Sequence, residues 1–295
     1  MVHIPVLLKE VINYLNPQPN QNFIDCTING GGHSLEILKR IKPDGKILGI
    51  DWDKDILASL EKKITPDDRK NFTFVCGNYS NLKNIAEENN FHPANGILFD
   101  LGMSSWDLEA SGRGFSFLKD EPLDMRYSLE NELTAEKIIN RWPEEELVKI
   151  FREYGEERRA RAIAKVICQK RKFSPIKGTL ELVETIRKAI PARFQFGRTH
   201  FATRIFQALR IAVNDELGNL RRGLGEATEV LGKGGRVAVI SFHSLEDRIV
   251  KNYFREKSKE GFLKILTKKP IVPLFEEAKS NPRARSAKLR VAEKI

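Results

Sequence analysis

The stretch that most limits what this chain can fold into is Phe23-Ile24-Asp25-Cys26-Thr27-Ile28-Asn29-Gly30-Gly31-Gly32-His33-Ser34. Strand-forming residues lead into three consecutive glycines, and an amphipathic run (Leu35, Ile37, Leu38, Ile41) follows. A strand, a glycine-rich turn and a helix in that order bring backbone N–H groups and a helix N-terminus up to a ligand.

The pattern around this stretch is an alternation. Strands are expected at Asn22–Cys26, Lys46–Asp51, Asn71–Cys76 and Asn95–Asp100, with helices at His33–Ile41, Asp53–Ile64 and Leu82–Glu88 between them. A first helix, Pro5–Leu15, precedes them. Short apolar strands alternating with helices predict a parallel sheet with helices on both faces. From about Ser104 the alternation stops. Helices at Thr134–Arg141, Pro143–Glu153, Glu156–Lys172 and Thr179–Ala189 follow one another, so 104–198 reads as an all-helical insertion between sheet segments 1–103 and 199–295. A long helix over Phe201–Leu231, unbroken or kinked or capped near Gly218–Gly225, then ends at Gly232-Lys233-Gly234-Gly235, and strands resume at Arg236–Ser241, Phe262–Thr267 and Lys288–Val291.

Composition narrows the function classes. No apolar run approaches a bilayer span, and three scattered cysteines (Cys26, Cys76, Cys168) offer neither a disulfide framework nor a zinc motif. The N-terminus lacks a secretory pattern, so a reducing cytoplasm is the simplest compartment. The five histidines have no metal-ligand spacing, and no metal is expected. The formal charge of +10 suits a polyanionic partner. It concentrates in Arg152–Lys172 and in Lys264–Lys294.

Asp51 follows the glycine turn by about twenty residues, the spacing that puts a carboxylate on ribose hydroxyls. Counted from Gly30 and Gly32, the third glycine of a dinucleotide fingerprint would stand at Leu35, so the dehydrogenase pattern is incomplete and a smaller nucleoside ligand such as S-adenosylmethionine fits better. A tight turn with a solvent-facing Asp51 is the reading the turn alone leaves open. Asp100 ends its strand and points toward the ligand crevice or caps the next turn. Tyr79 packs against an adenine or lies on the surface. In Ser241-Phe242-His243-Ser244-Leu245-Glu246-Asp247, no nucleophile elbow is present, and Ser244 with Asp247 reads as a helix cap. The insertion carries Arg113-Gly114-Phe115-Ser116-Phe117 and Pro122-Leu123-Asp124-Met125-Arg126, where aromatics between arginines either clamp single-stranded nucleic acid or fold back on a core.

Taken together, these stretches resemble the bacterial family that methylates N4 of a cytidine in small-subunit ribosomal RNA. The resemblance runs from His3-Ile4-Pro5-Val6-Leu7-Leu8 through Gly31-Gly32-His33-Ser34, Asp100-Leu101-Gly102, Arg113–Phe117 and Pro122–Arg126. It continues through Ala202-Thr203-Arg204, Phe206–Arg210, Val239–Arg248 and Asn281-Pro282-Arg283. It implies a class I (Rossmann-like) α/β S-adenosylmethionine-dependent methyltransferase sheet with an inserted all-helical domain that meets RNA. By position it implies cofactor contacts at Gly31, Gly32, His33, Asp51, Tyr79, Asp100 and Asp107. The implied partner is 16S rRNA or the small ribosomal subunit, and the resemblance admits a homodimer. Asn29 stands where this family has glycine, Trp106 and Asp107 where it has Pro and Gln, and Tyr79 where Phe is common. Asp100 is the expected acceptor for the N4 hydrogens. The Arg113–Arg126 loop and the basic C-terminal segment, Lys288 and Arg290 included, are expected to guide the RNA. A dinucleotide oxidoreductase and a non-catalytic RNA-binding assembly factor are the rival readings.

Overall fold

The computed structural model describes residues 5–197 and 199–295. His3 and Ile4 of the N-terminal motif, and Arg198 at the expected end of the insertion, lie outside the described residues. The chain forms two compact units, Met1–Ser104 with Leu217–Ile295, and Ser105–Glu216.

In chain order the first unit supplies α1 (Leu8–Leu15), β1 (Phe23–Asp25), α2 (Gly32–Ile41), β2 (Ile47–Asp51), α3 (Lys54–Glu61), α4 (Pro66–Arg69), β3 (Phe72–Cys76), α5 (Leu82–Glu88) and β4 (Ala94–Asp100). The second unit holds α6 (Ser105–Glu109), α7 (Ala135–Arg141), α8 (Glu144–Glu153), α9 (Ala160–Arg171), α10 (Thr179–Ala189) and α11 (Thr203–Asn214). The chain then returns through α12 (Glu216–Val230), β5 (Leu231–Ser241), α13 (Ser244–Lys259), β6 (Leu263–Ile265), α14 (Phe275–Ser280) and β7 (Lys288–Lys294).

The strands form one seven-stranded sheet in the order β3-β2-β1-β4-β5-β7-β6. β1 to β5 are parallel, while β7 runs antiparallel to both β5 and β6. Both faces are covered, as the alternation of the strands requires. Phe23, Ile47 and Leu98 join Val11, Ile37 and Leu60 on one side. Ile24, Leu48 and Ile97 join Leu82, Leu220 and Phe254 on the other. This register leaves Asp25, Asp51 and Asp100 as the last residues of β1, β2 and β4, at the carboxyl edge where open parallel sheets bind ligands.

Three expectations need correction. The helix read over Phe201–Leu231 is two helices, broken at Asp215, which takes a left-handed conformation with φ 45°. α11 packs on α8 and α7, so the helical unit extends to Glu216 and does not stop at Arg198. Gly232–Gly235 does not lie outside the sheet as a helix terminator: β5 already begins at Leu231 and runs through these glycines, with its register against β4 shifting between Ala94 and Gly96.

Candidate active site

The chain leaves β1 in a turn closed by the Gly31 N–H donating to the Ile28 carbonyl at 2.8 Å. Asn29 and Gly31 both have positive φ, 47° and 75°. Gly31 is required by that conformation, and a Cβ there would approach Leu60 Cδ1 to 2.6 Å. Asn29 keeps the turn without a glycine because asparagine tolerates the left-handed region, and its Nδ2 donates to the Thr27 carbonyl at 3.0 Å. Its backbone N–H, turned inward by this geometry, donates to Asp51 Oδ2 at 3.0 Å. The Asp53 N–H donates to Asp51 Oδ1, also at 3.0 Å. Asp51 is therefore a half-buried carboxylate held by two backbone donors.

Beside it, the rings of Trp52 and Tyr79 lie nearly parallel, 12° apart in plane and 6.3 Å between centroids. Tyr79 also meets Phe99 edge-on at 5.4 Å. Gly223 of α12 makes room for the tyrosine, since a Cβ there would stand 2.7 Å from Tyr79 Cδ2. Trp52 was missed by the reading of the sequence, and its one signal there is adjacency to Asp51.

Beneath the turn lies a buried polar network. Ser34 Oγ donates to Asp25 Oδ2 at 2.6 Å, and the Thr27 N–H donates to Asp25 Oδ1 at 3.2 Å. Thr27 Oγ1 in turn accepts the Asp100 N–H at 2.7 Å, tying β1 to β4. Burial raises the Asp25 pKa against the hydrogen bond from Ser34. His33 Nε2 lies 2.9 Å from the Val6 carbonyl, which can only accept, so Nε2 carries the proton of the neutral ring. Burial lowers the pKa of this imidazole. Its Nδ1 faces Asp100 Oδ2 at 3.7 Å.

Asp100 is buried, and its Oδ1 has no hydrogen-bond partner. Burial raises its pKa from 3.8 to about 7, against the backbone N–H of Gly102. A buried carboxylate with one unsatisfied oxygen carries a desolvation penalty that a ligand can relieve. The structure thus gathers Gly31, Gly32, His33, Asp51, Tyr79 and Asp100 at one edge of the sheet. Asp107 belongs to α6 in the second unit. Asp25, Thr27 and Ser34 form the buried network beneath these residues, and nothing in their spacing announced it.

Other sequence candidates resolve differently. α13 is capped by His243 and not by Ser244. His243 Nδ1 accepts from the Glu246 N–H at 3.4 Å, while Glu246 Oε2 accepts from the His243 N–H at 3.2 Å. Asp247 is instead occupied with Arg290 Nε at 2.6 Å and Lys288 Nζ at 3.4 Å. Arg290 is buried in β7, an interior strand, and is part of the sheet's own packing, while Lys288 pairs with Asp247 with its side chain still 38% exposed. In the second unit, Arg126 grips Asp124 at 2.8 Å and donates to the Asn131 carbonyl, and Arg113 donates to the Tyr127 carbonyl. Phe115 stacks on Tyr127 and Phe117 on His200. The Arg113–Arg126 loop is folded on itself, with its arginines and aromatics already engaged.

The donor set fits an adenosine cofactor bearing a cation: a fixed acid for ribose hydroxyls, an aromatic pair for the base, and a glycine turn beside a carboxylate short of one partner. The family model described as "MraW methylase family" matches residues 1–295. This chain belongs to that family. It is 46% identical over 308 residues to ribosomal RNA small subunit methyltransferase H of Clostridium botulinum (strain Kyoto / Type A2), with 99% of each chain covered. It is 47% identical to the protein of the same name from Dictyoglomus thermophilum, covering 99% of this chain and 97% of that one. A crystal structure described as a candidate rRNA methylase from Clostridium thermocellum aligns over the whole of both chains, with a TM-score of 0.51 at 12% identity. As an MraW methylase the chain is an enzyme, a methyltransferase on a Rossmann-like α/β sheet that uses S-adenosylmethionine.

Proposed function

We propose that this MraW methylase transfers a methyl group to N4 of a cytidine in the 16S rRNA of the small ribosomal subunit, in the cytoplasm. The observation that carries the proposal is the buried Asp100 carboxylate at the end of β4, with Oδ1 unpartnered. When bound, S-adenosylmethionine supplies an electrophilic methyl on a sulfonium. Asp51 would hold the ribose hydroxyls, Trp52 and Tyr79 would offer ring surface to the adenine, and Gly31, Gly32 and His33 would shape the turn beside the amino-acid end. Asp107 is proposed as a further contact.

The exocyclic amine of cytosine is a weak nucleophile because its lone pair is delocalised into the ring. Holding it in line with the methyl carbon is worth up to about 7–11 kcal/mol in favourable model systems. As N4 becomes positive, the ionised Asp100 accepts one of its hydrogens and keeps electron density on nitrogen. The base reaches this edge only unstacked from its neighbours. The second unit is proposed to contribute to RNA binding.

Mass spectrometry of 16S rRNA, before and after incubation with the protein and isotopically labelled donor, tests the reading. The expected product is a single cytidine heavier by one methyl on N4. Unchanged RNA, alongside normal donor binding, would favour a non-catalytic assembly factor. In single-turnover experiments Asp100→Asn is expected to slow methylation about 100-fold or more. An unchanged rate would remove the acceptor role.

A further inference from the structure

From the sequence, the Arg113–Arg126 loop is a candidate RNA clamp, but its two terminal arginines and its two phenylalanines are engaged within the second unit. The second unit holds a different arrangement of the same residue types. Arg159 stands at the N-terminus of α9, and Arg193 and Phe194 lie in the short 3-10 turn Ala192–Phe194 after α10. The Arg159 guanidinium sits 4.0 Å from the centroid of the Phe194 ring, and the Arg193 guanidinium 4.9 Å from it. Phe194 is 45% exposed and Phe196, two residues on, 86% exposed.

Two cations share one aromatic ring here, and neither guanidinium has a carboxylate partner among the described residues. The nearest acid in sequence, Glu157, accepts the Arg159 backbone N–H at 2.8 Å, and its other side faces Arg204 at 3.9 Å. Arg158 and Arg161, close to Arg159 in sequence, are exposed. An isolated protein gains little from gathering like charges on an exposed ring without an acid to offset them. The arrangement suits a ligand that brings both anions and flat faces. Guanidinium planes and aromatic rings stack on unpaired bases, while the charges meet phosphates.

We propose that the Arg159–Phe194–Arg193 stack, extended by Phe196, is a seat for a single-stranded segment of RNA. This rests on the reading of the chain as an RNA methyltransferase and names the surface by which that substrate is held.

The test uses the full chain and fluorescence anisotropy with two probes, a 16S rRNA transcript and a short single-stranded oligoribonucleotide. Phe194→Ala is expected to weaken both by about tenfold, the loss of one stacked base. Arg159→Ala/Arg193→Ala is expected to flatten the slope of log affinity against log salt by about 1.4, two phosphates at roughly 0.7 each. Arg159→Lys/Arg193→Lys, which keeps both charges and the aliphatic stems, should keep the salt slope and lose affinity. Donor binding and melting temperature should stay unchanged in this pair. Unchanged RNA affinity in all three variants overturns the proposal. So does an equal loss from removing two exposed cations of α8 (Lys149→Ala/Arg152→Ala), or binding to anionic phospholipid vesicles with none to RNA. Should the wild-type chain bind RNA through these residues yet transfer no methyl, the reaction reading fails and the RNA seat stands.

Discussion

Asp100 is a side chain whose burial costs the fold and whose proposed role in methyl transfer would use that same burial. Its ordinary pKa of 3.8 is raised by burial to about 7, so between those values the folded chain holds a proton that the unfolded chain has lost. Stability therefore declines as pH rises through this window and levels off above about 7, with an overall difference on the order of 4 kcal/mol. Asp100→Asn should melt well above wild type at pH 8 and close to it at pH 4, even as methylation is lost. Thermal melts across pH 4–8 check both ends. Asn29 supports a second prediction. Asn29→Gly should keep donor affinity, because its left-handed backbone and the N–H aimed at Asp51 survive. Asn29→Val, at φ 47°, should destabilise by about 1–3 kcal/mol and weaken donor binding, as calorimetry would show. At this scale the sequence was readable where a residue sits at a strand end, as Asp51 and Asp100 do. Asp25 escaped notice because its role depends on Ser34 and Thr27 folding over it, and spacing carries no trace of that.

At the scale of elements, local periodicity located most helices and strands, since burial on two sheet faces imposes it. It failed where a neighbour decides the outcome. The α11–α12 break sits at Asp215, within a run that stays amphipathic on both sides, so no change of pattern marks it. His243 took the capping role over Ser244 because Glu246, three residues on, completes a reciprocal pair. The cations of β7 are expected from the sequence to meet RNA, yet the strand lies between β5 and β6 and its Arg290 is buried against Asp247. Reversing that charge leaves Asp247 facing an acid in a largely desolvated place. Arg290→Glu is expected to cost roughly 3–5 kcal/mol, read by urea denaturation. Any loss of RNA binding in it would follow from unfolding.

For the whole molecule, the excess of 50 basic over 40 acidic residues sets the electrostatics of encounter with a polyanion. Were 6–10 phosphates neutralised, affinity for rRNA should drop by about 10³–10⁵ between 50 and 200 mM salt. Donor binding at the proposed site on the buried edge of the sheet should scarcely change. Filter binding and calorimetry over the same salt series separate the two. The existence of a helical insertion was legible because strand signals cease after β4. Its far boundary was not, because α11 looks the same whichever unit it packs on. The position of β7 has a consequence for the order in which the chain is made. The last strand in sequence is an interior strand in space, so a polypeptide halted after Ser286 presents β5 with one edge bare and β6 without its partner. Such a fragment has every acid of the proposed donor site and still lacks the strand that joins β5 to β6. It should be held by chaperones or degraded, and pulse-chase of chains ending before and after β7 would show the half-life change at that strand.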